Sequence, residues 1–266
     1  MPATDEDSAV LATLLALTAA DRWRDDGALE LRFDVHHPQG IVRHDGRWLI
    51  STVDVAQGQG WLLVADGDGR LVERVPCGDG DRFHPGGIGA DAGGVWLAAA
   101  EYRPSSTTTV SHVAHGSTPE VHFRHPDHLG AIARHGDELI AWTWGSRELL
   151  RLDLAGNVLQ RRRNPSHFVD YQDLHVLRTG HAVCSGVGRA MVRGEHRIGG
   201  LGVLRLDDLT WELEVPMAAF SPASALPVTY NAMHLDVSDD RLRLHLLPDT
   251  GTASILRYST PLAPPP

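Results

Sequence analysis

Three histidines stand at the same place in three similar stretches of this chain. His37 opens HPQGI, His84 opens HPGGI and His128 opens HLGAI, each four residues ahead of an isoleucine. Asp170 takes that place ahead of Leu174, and Thr229 takes it ahead of Met233. Imidazole and carboxylate are ligands for a divalent ion, so His37, His84, His128 and Asp170 form a candidate metal set, with zinc, magnesium, manganese or calcium as the ion. Such an ion would polarise a carbonyl group or activate water. Without an ion, a neutral imidazole serves as a general acid or base near pH 7. The same repetition also suits a turn in which each ring braces a neighbouring segment, and the residues alone leave the three readings open.

Other candidates lie close by. Asp54, in VDV, and Glu101, in AAAEYR, each follow a predicted strand, where a carboxylate at a strand end is placed to act as a base. Asp173 replaces the Gly or Ala that precedes the aligned apolar residue elsewhere, and it completes the catalytic candidates. Tyr102, Arg103, Trp144, Tyr171, Arg189, His196, Tyr230 and Asn231 are expected to shape a substrate pocket. His175 and His234 follow the aligned apolar residue of their units, and either extend the cluster or pair in a core. No nucleophile elbow, phosphate loop, nucleotide fingerprint or zincin motif occurs, and Ser185 in CSGVG lacks the GxSxG pattern.

These residues are carried by a repeat. Aligning Ile41, Ile88, Ile132, Leu174 and Met233 gives steps of 47, 44, 42 and 59 residues, the length of one propeller blade with an insertion in the last step. Each unit reads as a small-residue apolar strand, a polar turn, a second apolar strand and two further strands. The fifth unit lacks its fourth strand, while LELRFDV, from Leu29 to Val35, belongs to no earlier unit. The expectation is an all-β, five-bladed propeller of four-stranded antiparallel blades, closed by Leu29–Val35 as the outer strand of blade five. A β-sandwich of repeated hairpins is the competing fold. Trp48, Trp61, Trp96 and Trp142 are expected between the blades. The run from Ala9 to Ala20 reads as an amphipathic helix capped by Ser8. The organisation is therefore a lead-in over residues 1–28, a propeller over 29–260 and a tail over 261–266.

Strand direction decides which residues meet. In a four-stranded meander, the blade-to-blade links and the loops between second and third strands share one face of the ring. The candidates above fall there, with His36, His125 and His167, except His175 and His234, which lie on the inner strands themselves. The opposite face carries only the hairpins RHDGR, ADAGG, RHGDE and SDDR. A concave mouth lined by polar and aromatic groups is the expected small-molecule site.

Composition narrows the partners. The chain of 266 residues has 24 basic and 34 acidic residues, for a net charge of −10, which argues against nucleic-acid binding. Every basic residue is arginine, a sign of genomic base composition more than of chosen donors. Cys77 and Cys184 form no CxxC pair and leave at most one bridge. The Ala9–Ala20 run is too short to span a bilayer and follows acidic residues, so neither a membrane span nor a signal peptide is expected. A cytoplasmic monomer or small homo-oligomer acting on a small molecule is the reading.

The Gly40-Ile41 and Gly87-Ile88 steps, the LVAD and LRLD strands, and the rim carboxylates Asp54 and Glu101 resemble the propeller group of SMP-30/gluconolactonase and strictosidine-synthase-like proteins. That resemblance covers the chain after Leu29. It implies metal-dependent hydrolysis of an ester, lactone or related carbonyl compound, with a lyase or cyclase as the alternative. Those propellers have six blades against the five counted here, so no ligand set transfers residue by residue. The ring of histidines is also similar to that of carotenoid-cleavage propellers, with Asp170 at the fourth position. A non-catalytic ligand- or protein-binding propeller uses the same rim.

Overall fold

A computed structural model describes residues 5–114, 117–166, 168–191, 193–249 and 253–264. The chain begins with a helix, α1 (Asp5–Leu15), and a strand, β1 (Arg24–Glu30). Blade one is β2 (His37–His44), β3 (Arg47–Asp54), β4 (Gln59–Ala65) and β5 (Leu71–Cys77). Blade two starts with an inner strand broken at Gly86 into β6 (His84–Pro85) and β7 (Gly87–Asp91), followed by β8 (Gly94–Ala100), β9 (Thr108–Val113) and β10 (Glu120–His125). Blade three is β11 (Leu129–His135), β12 (Glu138–Thr143), β13 (Glu148–Asp153) and β14 (Val158–Arg163). Blade four is β15 (Val169–Leu177), β16 (His181–Met191), β17 (Glu195–Arg205) and β18 (Thr210–Pro216). Blade five is β19 (Asn231–Ser238), β20 (Arg241–Pro248) and β21 (Ser254–Pro261), completed by β1 on its outer edge.

The inner strands β2, β7, β11, β15 and β19 lie side by side in a closed ring, with β19 returning to β2. Five apolar clusters fill the five junctions between blades. Ile41, Trp48, Leu247 and Ile255 close blade five on blade one, for example, and Ala131, Trp142, Leu174 and Cys184 join blades three and four. Trp48, Trp96 and Trp142 are buried there, and Trp61 is partly so. One cluster per junction is the packing of a propeller and not of a sandwich, whose core is a single layer between two sheets.

Closure by the far end of the chain holds, but the closing strand is Arg24–Glu30 and not Leu29–Val35. Ala28 pairs with Leu256 and Leu29 with Ile255. An outermost strand has little to bury, so RDDGALE is almost wholly exposed. The apolar Leu31, Phe33 and Val35 instead fill the link into blade one. The helix also differs from expectation. It runs from Asp5 to Leu15, with Ser8 inside its first turns, and Asp5, Glu6 and Asp7 at its positive end. Ala9, Val10 and Leu14 are buried, the last two against blades four and five, and Asp7 pairs with Arg178 at 2.6 Å. Leu262 and Ala263 are tied back through Asp240 O and Thr13 Oγ1, while Pro265 and Pro266 lie outside the described residues. Cys77 and Cys184 are both free and buried.

One carboxylate occupies the centre of the ring. Asp173 is fully buried, and its Oδ2 accepts the backbone N–H groups of Ile41 (3.1 Å) and Met233 (3.0 Å). Its Oδ1 accepts those of Ile88 (3.2 Å) and Leu174 (3.0 Å). Four of the five aligned apolar residues thus give their amides to one side chain. The fifth, Ile132, lies opposite Ile88 in a short parallel pairing of β7 with β11, which joins blades two and three in one sheet. The small residues of the repeat follow from this crowding. A Cβ on Gly87 would lie 2.6 Å from Asp173 Oδ1, and one on Gly40 would lie 2.6 Å from the Ile88 nitrogen.

Candidate functional site

The blade links and the second-to-third-strand loops converge, as strand direction requires, on a cavity of about 230 Å³ at one mouth of the central channel. His37, His84, Tyr102, His128, Trp144, Asp170, Tyr171, Arg189, Tyr230 and Asn231 all line it. Each inner strand delivers one residue at the shared register, so three histidines and Asp170 arrive from four blades. Thr229, the fifth, turns inward and donates to the Gly186 carbonyl.

The three imidazoles are not equivalent. His37 is half-buried, and its Nδ1 lies 2.7 Å from Asp249 Oδ2. A carboxylate only accepts, so Nδ1 carries the proton and Nε2 is left as the accepting nitrogen of the neutral ring. His128 is buried, with Nδ1 at 3.0 Å from both the Arg103 carbonyl and Ser106 Oγ, which fixes the same tautomer. Burial lowers its pKa to about 4. His84 sits between them, its ring centroid 6.4 Å from His37 and 5.6 Å from His128. Tyr102 stacks on it at 4.4 Å and 17°. Burial first, and then the two neighbouring imidazoles, lower the His84 pKa to about 3, so the ring is neutral at physiological pH.

Asp170 is displaced in the other direction. Burial raises its carboxyl to about 6, against the pull of Arg189 and Arg147. Its Oδ1 is buried and finds no hydrogen-bond partner among the described residues. The same holds for His84 Nδ1 and Trp142 Nε1, both from residues of this cavity. Three buried polar atoms without partners on one cavity mark a place where a ligand or water completes the bonding, because such groups are costly to leave bare.

A divalent ion does not fit the expected ligand set. Among the described residues no three His, Cys, Asp or Glu side chains are placed to hold one. The engaged Nδ1 atoms of His37 and His128 leave Nε2 free on both rings, so it is the placement of the groups and not their tautomers that fails.

Several expected residues lie elsewhere. Asp54 is buried in its own turn, where Oδ1 accepts the Gln57 N–H at 3.0 Å, and it does not line the cavity. Glu101 braces its loop by accepting from Thr107 and Arg103, and both Glu101 and Arg103 line a separate outer hollow. Asp173 lies within the ring and not among the lining residues, with its oxygens committed to backbone amides. Tyr171 touches the cavity, but its ring stacks on Trp211 at 4.1 Å and its hydroxyl donates to Glu214 at 2.8 Å, so it belongs to the core and only edges the cavity. Asn231 gives its amide to the Pro38 carbonyl. Residues 185–191 and 195–200 form the projecting part of the β16–β17 hairpin, on which Arg189 reaches the cavity and the exposed His196 does not. His167 lies outside the described residues.

Asp249, Gln39, Trp142 and Gln172 join the site without standing among the candidates of the sequence. Asp249 had a signal. It follows the second strand of blade five, the position that singled out Asp54 and Glu101. His175 and His234 sit at the other mouth of the channel, where they face each other at 5.2 Å and line a second cavity.

The fold has distant likenesses. A hypothetical protein from Leishmania major matches with a TM-score of 0.63 at 12% identity, over 92% of this chain and 92% of that one. The glutaminyl cyclase of Myxococcus xanthus matches with a TM-score of 0.53 at 11% identity, over 90% of this chain and 97% of that one. An arabinanase from Bacillus subtilis matches with a TM-score of 0.51 at 10% identity, over 89% and 96%. At such identities these likenesses bear out the distant propeller relationship at the level of fold alone. No curated protein matches the sequence. No helix among the described residues is long and apolar enough to cross a membrane. The model of a family of unknown function, DUF6454, matches residues 1–264, and the chain belongs to that family.

Proposed function

We propose that the chain is an acid–base enzyme acting on a small carbonyl compound in the cavity that holds Asp170 and the three histidines. The observation that carries this reading is the opposed displacement of the groups there. Asp170 keeps its proton up to about pH 6, while His84 and His128 stay neutral down to about 3 and 4. Titratable groups pushed apart by their surroundings are the mark of divided acid and base roles.

In this reading His37 is the base. Asp249 holds its tautomer and would steady the imidazolium formed when Nε2 accepts a proton, the part played by the carboxylate of a hydrolase triad. Asp170 is the acid, protonating the oxygen or nitrogen that leaves or that gains charge. His84, His128 and Trp142 offer neutral hydrogen bonds, and Tyr102, Trp144 and Tyr230 form aromatic walls. Arg189 at the rim suits a substrate carrying an anionic or strongly polar group. A volume of about 230 Å³ falls below the ~300–1,000 Å³ of sites for drug-sized ligands, which points to a metabolite-sized substrate.

Hydrolysis of an ester or lactone, and cyclisation or elimination, both meet these requirements. The propeller likeness to a glutaminyl cyclase supports the second class. The two differ in whether water enters the product. A panel of small esters, lactones and cyclisable amides, incubated in ¹⁸O-labelled water and followed by mass spectrometry, is expected to give turnover that Asp170→Asn lowers by about 10²–10⁴-fold. Label in the product assigns hydrolysis, and product without label assigns cyclisation or elimination. Turnover unchanged in Asp170→Asn contradicts the proposal.

A non-catalytic binding propeller is the second reading, favoured by the poor fit of the histidines to an ion. It requires ligands that bind without chemical change, with similar affinity in the parent and in Asp170→Asn.

A further inference from the structure

The face that carries the hairpin turns has a cavity of its own, about 270 Å³, at the opposite mouth of the channel. Arg43, His44, Asp91, Arg134, His175 and His234 bring its polar groups. We propose that this mouth is a second ligand site, which takes a small anion, a carboxylate or a phosphate, between Arg43 and Arg134, with the body of the ligand reaching the imidazoles of His175 and His234.

The groups that are already satisfied leave Arg43 as the open donor. Asp91 is the carboxylate of the lining, and its bonds are filled. It accepts from Trp96 Nε1 (2.8 Å), the Gly93 N–H (2.8 Å), His112 Nε2 (3.1 Å) and Arg134 (3.2 Å). Arg134 is thereby held in place, with its Nε on the Gly136 carbonyl and Asp137 at 3.7 Å on its outer side. Arg43 has no such restraint. Its exposed guanidinium lies 5.6 Å from the Trp48 ring centroid and meets no carboxylate among the described residues. His44 has Asp45 at 3.6 Å, away on the turn.

The depth of the cavity supplies the second observation. His234 is 8% exposed, and its Nδ1 finds no hydrogen-bond partner among the described residues. Its ring meets His175 edge-on at 5.2 Å and Trp48 edge-on at 5.7 Å. A buried imidazole with an unmet nitrogen, below a guanidinium with no counter-charge, is unfinished bonding of the kind a ligand completes. Guanidinium groups bind carboxylate and phosphate through paired N–H donors. The net charge of −10 disfavours diffuse anion binding elsewhere on the chain, so saturable uptake reports a built site.

Titration of the full chain with inorganic phosphate and, separately, with malonate, followed by isothermal calorimetry and amide NMR, tests this. One saturable site is expected for at least one probe, with shifts at Gly89, Ala133 and Val176. Whichever anion binds tells whether the natural ligand carries phosphate or carboxylate. Arg43→Gln is expected to weaken binding at least tenfold with an unchanged melting temperature, because Arg43 makes no ion pair that folding needs. Asp170→Asn, at the other mouth, is expected to leave it unchanged. Absence of saturable binding by both probes, equal affinity in Arg43→Gln, or shifts confined to the Asp170 mouth would overturn the proposal.

Discussion

The two mouths of one channel are built from the same five inner strands, yet they present opposite chemistry. At the Asp170 mouth the blade links bring a buried carboxyl and three imidazoles, of which His84 and His128 are held neutral by burial. At the other, hairpin turns bring Arg43 and Arg134 over His175, whose pKa burial lowers to about 4. Between them lies Asp173, tied to the amides of four blades. The contrast shows that the repeat determines where residues meet, while the departures from the repeat determine what they can do there. Asp170 stands where three blades have histidine, and Asp173 stands where four have glycine or alanine.

The largest effect is expected from removing what both mouths share. Asp173→Ala leaves four buried N–H groups without an acceptor, at about 1–3 kcal/mol each, a sum comparable with the ~5–15 kcal/mol stability of a typical domain. Loss of a cooperative thermal transition by circular dichroism is expected. A melt within a few degrees of the parent would show that the ring closes without the carboxylate. Deleting residues up to Glu30 exposes the edge of β21, and a large fall in melting temperature is expected there too.

A gentler cut separates the mouths. Asp170→Asn is expected to lower turnover by about 10²–10⁴-fold while the fold and the Arg43 mouth persist. Its pH dependence has a definite sign. A carboxyl raised to about 6 keeps its proton below that pH, so an acid role is present below about 6 and fades as pH rises through it. The alkaline fall in kcat/KM should disappear in Asp170→Asn, and a rate that climbs through pH 6 would instead make Asp170 the base. Asp249→Asn is expected to reduce kcat more than it changes KM, because it loosens the tautomer of His37 and not the walls of the cavity. The smallest effect is expected of Asp54→Asn, which touches a turn and neither mouth. Its activity should stay within about twofold of the parent, and a larger loss would return Asp54 to the site.

The blades were legible because small-residue inner strands recur at near-constant spacing, and strand direction then gave the face on which His37, His84, His128 and Asp170 meet. The closing strand was misplaced by about five residues because the Leu31, Phe33 and Val35 pattern is apolar for another reason, the filling of a blade junction. Asp54 and Glu101 were overread, since a residue at the right height on the ring can still turn back on its own loop. The second mouth was invisible in the motifs, because RHDGR and RHGDE are ordinary turns as sequence. Only the ring brings their arginines above His175 and His234. Asp173 stood out as a charge at a small-residue register, but four amides from four blades are a tertiary fact.

Burial at the first mouth holds a proton on Asp170 up to about pH 6, well above the ordinary carboxylate range, and the acid role depends on that proton. A ¹³C NMR titration of the aspartate carboxyls, with Asp170→Asn to assign the signal, tests it without any substrate. A midpoint near 6 is expected. A midpoint at or below the ordinary aspartate value of ~3.9 would contradict it.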